Sequence, residues 1–313
     1  MTKIAFIFPG QGSQVVGMGQ ALVTQDDTLY KKADDVLGFP LSTYMLEGPE
    51  ETLTLTYNAQ PALLTTGVLV AQRLLALGVE PDVVAGHSLG EYSALVTAGV
   101  MSFEEAVSIV HKRGLYMNEA VPAGEGAMAA ILQMDAEALQ QVTTDVTNEG
   151  HSVQIANVNC PGQIVISGTK DGVEKASALA KERGAKRAIP LQVSGPFHSV
   201  LMQPAADKLE KDLAGVTFEA PRYAVVGNVQ ADVVEQANMQ QELIDQVVSP
   251  VLWEQSVRKM LDLGVTTFIE CGPGKVLSGL VKKVDRSATC LCVFDEETLQ
   301  QAVTFVKEAL ANG

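Results

Sequence analysis

The chain is poor in cysteine, histidine and positive charge, and it has no long apolar run. Each shortage closes off a class of explanation. Its four cysteines, Cys160, Cys271, Cys290 and Cys292, form no C-x-x-C pair and are too few for a disulfide scaffold. A reduced, cytoplasmic protein is the expectation. No stretch approaches the ~18 apolar residues of a membrane span. Met1-Thr2-Lys3 leads into only five apolar residues, too few for a secretory signal. Lys and Arg number 22 against 37 Asp and Glu, leaving a formal net charge of −15. That argues against nucleic-acid binding through a general positive field. No metal site is expected, and no internal repeat or low-complexity segment interrupts the chain. What is present is 313 residues, 47% hydrophobic and 19% charged. This is ordinary for a soluble enzyme and enough for one large domain or two smaller ones.

Turn formers and apolar periodicity place the elements. Ile4 to Phe8 reads as a strand running into the loop Pro9-Gly10-Gln11-Gly12-Ser13. Helical patterning then dominates to about Leu77. Asp82 to Ala85 reads as a strand, with helices expected from Leu89 to Ala98 and from Ser102 to about Met117. Strands alternating with helices predict a parallel sheet covered on both faces. The order changes after Pro122-Ala123-Gly124. A strand near 127–133 and a helix near 136–146 precede two strands, near 152–158 and 163–167, that flank Cys160-Pro161-Gly162. A helix near 173–183 and a strand near 186–192 complete the βαββαβ order of a ferredoxin-like unit. The predicted division is a catalytic domain of residues 1–124 and 194–313, with an inserted subdomain of residues 125–193. A cleft between two such bodies is a usual place for ligands. The last third predicts helices near 202–213, 240–247 and 253–263, strands near 223–226 and 267–270, a helix through Lys283 and an amphipathic helix over 296–310.

Chemistry concentrates at Gly86-His87-Ser88-Leu89-Gly90. Strand, G-x-S-x-G, helix is a nucleophile elbow, in which the serine hydroxyl is pushed into the open and the next amide sits at a helix N-terminus. Ser88 is therefore the expected nucleophile. A general base must lie within reach, and only four histidines exist. His87 adjoins the serine and points elsewhere, His111 lies in an amphipathic helix, and His151 sits in a turn. His198, in Gly195-Pro196-Phe197-His198-Ser199, follows a strand at the functional edge of a parallel sheet and is the expected base. No carboxylate stands out to orient it, and a main-chain carbonyl is an open possibility. The loop after the first strand can present an amide that completes an oxyanion hole with Leu89 N–H. Nucleotide loops are disfavoured: Val15 takes the third glycine's place in G-x-G-x-x-G, and Val276 follows Gly274-Lys275 where a P-loop needs Ser or Thr. Arg113 has two readings, a surface arginine or a fork that clamps a substrate carboxylate.

Phe8-Pro9-Gly10-Gln11-Gly12-Ser13-Gln14, Gln60-Pro61-Ala62, G-H-S-L-G-E-Y over 86–92, Arg113-Gly114, Phe197-His198 and Gly272-Pro273-Gly274 together resemble the malonyl-CoA:acyl carrier protein transacylases of bacterial fatty acid synthesis. The motifs occur in order over roughly residues 3 to 285. The resemblance implies an α/β-hydrolase-like large domain with a ferredoxin-like insert, and malonyl transfer through a malonyl-serine ester. It implies Ser88 as nucleophile, His198 as base, Gln11 and Leu89 as oxyanion amides, and the main-chain carbonyl of Gln246 as the histidine's anchor. Arg113 would bind the malonyl carboxylate, Asn157 and Asn159 would line the coenzyme A cleft, and Phe197 matches a malonyl-selective pattern. Malonyl-CoA and acyl carrier protein are the implied partners of a monomer. Coenzyme A enters as part of the substrate and no cofactor is expected. Carrier proteins are generally acidic, so docking would need a local basic patch. Lys275, Lys282, Lys283 and Arg286 form one candidate, and Lys181, Arg183, Lys186 and Arg187 another; either also reads as a solvated charged face. Alternatives are a serine hydrolase of esters or thioesters, a malonyltransferase of malonate decarboxylation or polyketide synthesis, and a non-catalytic carrier-binding module.

Overall fold

A computed structural model describes residues 2–23 and 26–311. The chain opens with β1 (Lys3–Phe8), then α1 (Gln20–Val23), α2 (Thr28–Leu37), α3 (Leu41–Glu47), α4 (Glu50–Thr54) and α5 (Thr56–Ala76). Next come β2 (Val83–Gly86), α6 (Gly90–Thr97) and α7 (Phe103–Glu119). A second group holds β3 (Gly126–Leu132), α8 (Ala136–Asn148), β4 (Val153–Cys160), β5 (Gln163–Thr169), α9 (Lys170–Glu182) and β6 (Arg187–Pro190). The remainder is α10 (Gln203–Leu213), β7 (Ala224–Val226), α11 (Met239–Gln246), α12 (Trp253–Asp262), β8 (Val265–Cys271), α13 (Val276–Val284), β9 (Thr289–Val293) and α14 (Glu296–Ala311). The fold is mixed α/β, with one parallel sheet and a separate antiparallel one.

Strands β7-β2-β1-β8-β9 lie side by side, every neighbouring pair parallel. Alternation along β1 explains why both faces are covered. Ile4, Phe6 and Phe8 join a core with residues of α5, α6 and α7, while Ala5 and Ile7 join another with Val257, Met260, Leu277 and Val281. The antiparallel sheet has the order β4-β5-β3-β6. Its inner face (Ala129, Ile131, Ile155, Ile166) packs on Leu139 and Val142 of α8 and Val173 and Ala176 of α9. Main-chain bonds tie this sheet to the rest of the chain: Val158 N–H donates to Val251 O at 2.9 Å, and Val251 N–H to Ala156 O at 2.8 Å.

Two elements depart from the sequence pattern. β9 was not expected, because Thr289-Cys290-Leu291-Cys292-Val293 shows no clean alternation. It is an edge strand, half-buried along most of its length, whose pairing comes from β8. α5 runs unbroken through Pro61. Proline has no N–H, so the Tyr57 carbonyl one turn earlier loses its helical donor. His111 of α7 supplies a replacement, Nδ1 lying 2.7 Å from Tyr57 O. This exchange fastens α5 to α7 beside the residues that hold Arg113. Among the described residues no helix is long and apolar enough to cross a membrane.

Candidate active site

Ser88 stands at the C-terminal edge of the parallel sheet, between the end of β2 and the start of α6. Its backbone is left-handed (φ 51), unusual for a residue with a side chain. Glycine on both sides makes the bend possible. A Cβ on Gly86 would lie 1.9 Å from Gly90 C, and one on Gly90 would lie 2.0 Å from Phe8 O. The hydroxyl therefore projects from a turn that no other residue type at those two positions could form.

The structure brings His198 to it. Ser88 Oγ lies 2.8 Å from His198 Nε2, and His198 Nδ1 lies 2.8 Å from the main-chain O of Gln246. A carbonyl only accepts, so Nδ1 carries the proton and Nε2 is left to accept from the serine. Burial, reinforced by the nearby Arg113 charge, pushes the imidazole down to about 3, which keeps it neutral at ordinary pH, with its Nε2 lone pair free to accept a proton. His198 itself has φ 55, so both members of the pair sit on left-handed backbone.

Arg113, on α7, is not a surface arginine: it is 1% exposed. Its Nη1 donates to Gln60 Oε1 at 2.7 Å, and its Nη2 to Gln246 Oε1 at 2.8 Å and Ser88 Oγ at 3.0 Å. The guanidinium also stands over the Tyr92 ring, 5.6 Å from its centroid. Neutral oxygens take three of its five N–H groups, and no carboxylate among the described residues lies in hydrogen-bond contact with it. The charge is held open for an anion.

Ser88, Arg113 and His198 line a cavity of ≈ 210 Å³ together with Gln11, Leu89, Asn157 and Phe197. The Gln11 and Leu89 amides have no main-chain acceptor among the described residues. The Gln11 side chain is held away by Thr56 Oγ1 at 3.1 Å. Leu191 and Val193, beyond β6, close another wall, and Met117, Met128 and Phe197 make it apolar. Asn159 does not line this cavity. Its Oδ1 lies 2.8 Å from His87 Nε2, and His87 turns from the reacting groups toward the Trp253 ring.

A layer of polar groups beneath Ser88 was missed by the sequence reading. Glu91, Asn228 and Gln246 are essentially fully buried, and Glu242 nearly so. Gln246 Nε2 donates to Glu91 Oε2 at 2.8 Å and to Ser88 O at 3.0 Å. Burial first, and the neighbouring Glu242 second, raise the Glu91 carboxyl well above the ordinary carboxylate range. The signals were there: a lone carboxylate inside the apolar run of α6, and Asn228 at the C-terminal edge of a parallel strand. Among the described residues no group of His, Cys, Asp and Glu is arranged to hold a metal.

Fold and site together define an acyltransferase: residues 5–304 match the acyl transferase domain family. The chain is 60% identical over 312 residues to the malonyl CoA-acyl carrier protein transacylase of Bacillus subtilis (strain 168), covering 98% of each chain. It is 44% identical over 310 residues to that of Escherichia coli (strain K12), covering 97% of this chain and 99% of the other. Two solved structures superpose over nearly their whole length. One is the transacylase of Clostridium perfringens (TM-score 0.95, 40% identity, 100% of each chain). The other is a malonyl-transacylase in complex with a type II PKS acyl-carrier protein (TM-score 0.94, 42% identity, 97% of this chain and 99% of the other). The chain belongs to the malonyl CoA-acyl carrier protein transacylase family.

Proposed function

We infer that the protein transfers the malonyl group of malonyl-CoA to the phosphopantetheine thiol of acyl carrier protein, through a malonyl ester on Ser88, and so feeds fatty acid synthesis. One observation carries this reading. A single oxygen, Ser88 Oγ, is 2.8 Å from a neutral imidazole and 3.0 Å from a buried guanidinium that has no carboxylate partner among the described residues. Base and carboxylate anchor converge on the nucleophile.

In the first half-reaction the malonyl carboxylate replaces Ser88 and the carboxamides on part of the Arg113 fork. His198 Nε2 takes the hydroxyl proton as Oγ attacks the thioester carbonyl, and the Leu89 and Gln11 N–H groups receive the oxyanion. Collapse breaks the carbon–sulfur bond, and His198 returns its proton to the departing coenzyme A sulfur. The carrier's thiol reverses these steps, giving its proton to His198 and regenerating Ser88. Both end states are thioesters, so the enzyme has only to lower two barriers and exclude water.

Several finer features belong to this reading. The large unit is α/β-hydrolase-like, residues 1–124 and 194–313, and the strand order β4-β5-β3-β6 within 125–193 fits a ferredoxin-like insert. Asn157 and Phe197 form the malonyl-CoA side of the cavity. The enzyme acts as a cytoplasmic monomer and needs no cofactor.

Mass spectrometry after incubation with malonyl-CoA tests the assignment. Wild type should gain one malonyl group at Ser88, and Ser88→Ala none. Label that then moves to added carrier protein supports transfer; label appearing only as free malonate would make the protein a thioester hydrolase.

A further inference from the structure

Beneath the groups that touch substrate, one fully buried carboxamide has no part in the reaction as derived: Asn228, two residues beyond β7. Its Oδ1 accepts from Ser88 N–H at 2.8 Å, and its Nδ2 donates to Gly86 O at 2.7 Å. Residues 86 and 88 flank the sharpest point of the elbow. One planar amide therefore bridges the turn, using a donor on one side and an acceptor on the other.

The left-handed backbone at Ser88 makes this bridge consequential. In that conformation the Ser88 N–H joins neither the β2 ladder nor the α6 helix, and among the described residues it has no other acceptor. The Ser88 carbonyl accepts from Gln246 Nε2 at 3.0 Å. The Ser88 carbonyl also accepts from Glu91 N–H of α6 at 3.1 Å, whereas the Ser88 N–H relies on the distant Asn228 side chain. Asn228 is in turn anchored from behind: its own N–H donates to Glu91 Oε2 at 3.3 Å, and its Oδ1 accepts from Gln246 Nε2 at 3.2 Å. Only a carboxamide of this length offers one donor and one acceptor in the same plane; leucine offers neither, and a carboxylate offers two acceptors.

We propose that Asn228 is the positioning residue of the nucleophile elbow, clasping Gly86 O and Ser88 N–H so that Ser88 Oγ meets His198 and the Leu89 amide faces the cavity. The inference rests on Ser88 being the acylated residue. It predicts an effect on reactivity and not on malonyl-CoA binding, because Gln60 holds Arg113 Nη1 without bonding to Asn228, whereas Gln246 bonds to both.

The test compares the full-length wild type with Asn228→Ala, Asn228→Asp and Ser88→Ala. Acyl-enzyme formation from malonyl-CoA is measured, together with labelling by an uncharged fluorophosphonate that needs only the nucleophile geometry. Asn228→Ala should lower kcat and the labelling rate by about 100-fold, the scale of an ångström-level misplacement, with KM within twofold. A kcat within threefold of wild type, or a loss confined to KM, would overturn the proposal. If the alanine variant does not fold, Asn228→Asp decides. The titratable groups against that position are Glu91 on α6 and Glu242 on α11; Arg113 on α7 and His198 meet Ser88 and Gln246, which Asn228 holds. Its carboxylate sets a second acceptor against Gly86 O, so kcat should be depressed at pH 8 and recover toward pH 5.5 as the carboxyl gains a proton to donate. Wild-type kcat at pH 8, or a loss that ignores pH, would overturn it. A Ser88→Ala protein that still acquired malonyl would instead remove the nucleophile assignment itself.

Discussion

Acid pH should expose the buried imidazole of the site as a measurable loss of stability. His198 is 4% exposed, and burial followed by the Arg113 charge takes it from 6.5 to about 3. Below pH 6.5 the unfolded chain binds this proton, whereas the folded protein does not until about pH 3. Its contribution is therefore complete above pH 6.5 and is lost as pH falls through that window. At ~1.4 kcal/mol per pH unit, the loss between pH 7 and pH 5 comes to about 2 kcal/mol. The perturbation that isolates it is His198→Asn, since asparagine does not titrate and tolerates the left-handed backbone at this position (φ 55). Urea unfolding of both proteins at pH 7, 6 and 5 is the assay, and the difference between them is the quantity read. Glu91, Glu242 and Glu270 are raised by burial and act in the opposite sense, holding protons that the unfolded chain releases, but they are present in both proteins. The gap between wild type and variant should shrink by about 2 kcal/mol from pH 7 to pH 5. A gap that does not change with pH would show that the imidazole is not held neutral by burial, and the account of its protonation state would fall.

Arg113→Ala should reduce kcat/KM for malonyl-CoA by roughly 10²–10³-fold, the scale for truncating one partner of a buried charge pair. Acetyl transfer should be spared or raised, because acetyl-CoA has no second carboxylate and Ser88 Oγ is released from a 3.0 Å hydrogen bond; equal losses on both substrates would count against the clamp. On α13, Lys282 and Lys283 are exposed, and Lys283 Nζ reaches Gln163 Oε1 at 3.2 Å, at the start of β5. Reversing both charges should raise the carrier's KM severalfold at low ionic strength, less so at high salt, and leave malonyl-enzyme formation intact; an unchanged carrier KM would dismiss this patch as the docking site.

Local patterning carried much of this protein, for physical reasons. The continuous apolar run of Ile4 to Phe8 and the glycines around Ser88 each state a backbone requirement in a few adjacent residues, so the strand and the elbow can be read without a fold. His198 could be named because histidines are scarce, but the strand before it, β6, belongs to the antiparallel sheet, and the histidine that follows a parallel strand is His87, after β2. β9 was not legible because its pairing is supplied by β8, and Thr289-Cys290-Leu291-Cys292-Val293 carries no clean apolar–polar alternation. Nor was the polar layer under the elbow. Asn228, Glu91 and the Gln246 side chain are separated by up to 155 residues along the chain, and each meets its partner only once the parallel sheet has closed. Sequence, then, determined which atoms could react. Tertiary structure alone decided that Arg113 is buried rather than solvated, and that Asn159 bonds to His87 and does not line the cavity. Those outcomes depend on which surfaces lose water, and that is a property of the packed molecule and not of any short segment.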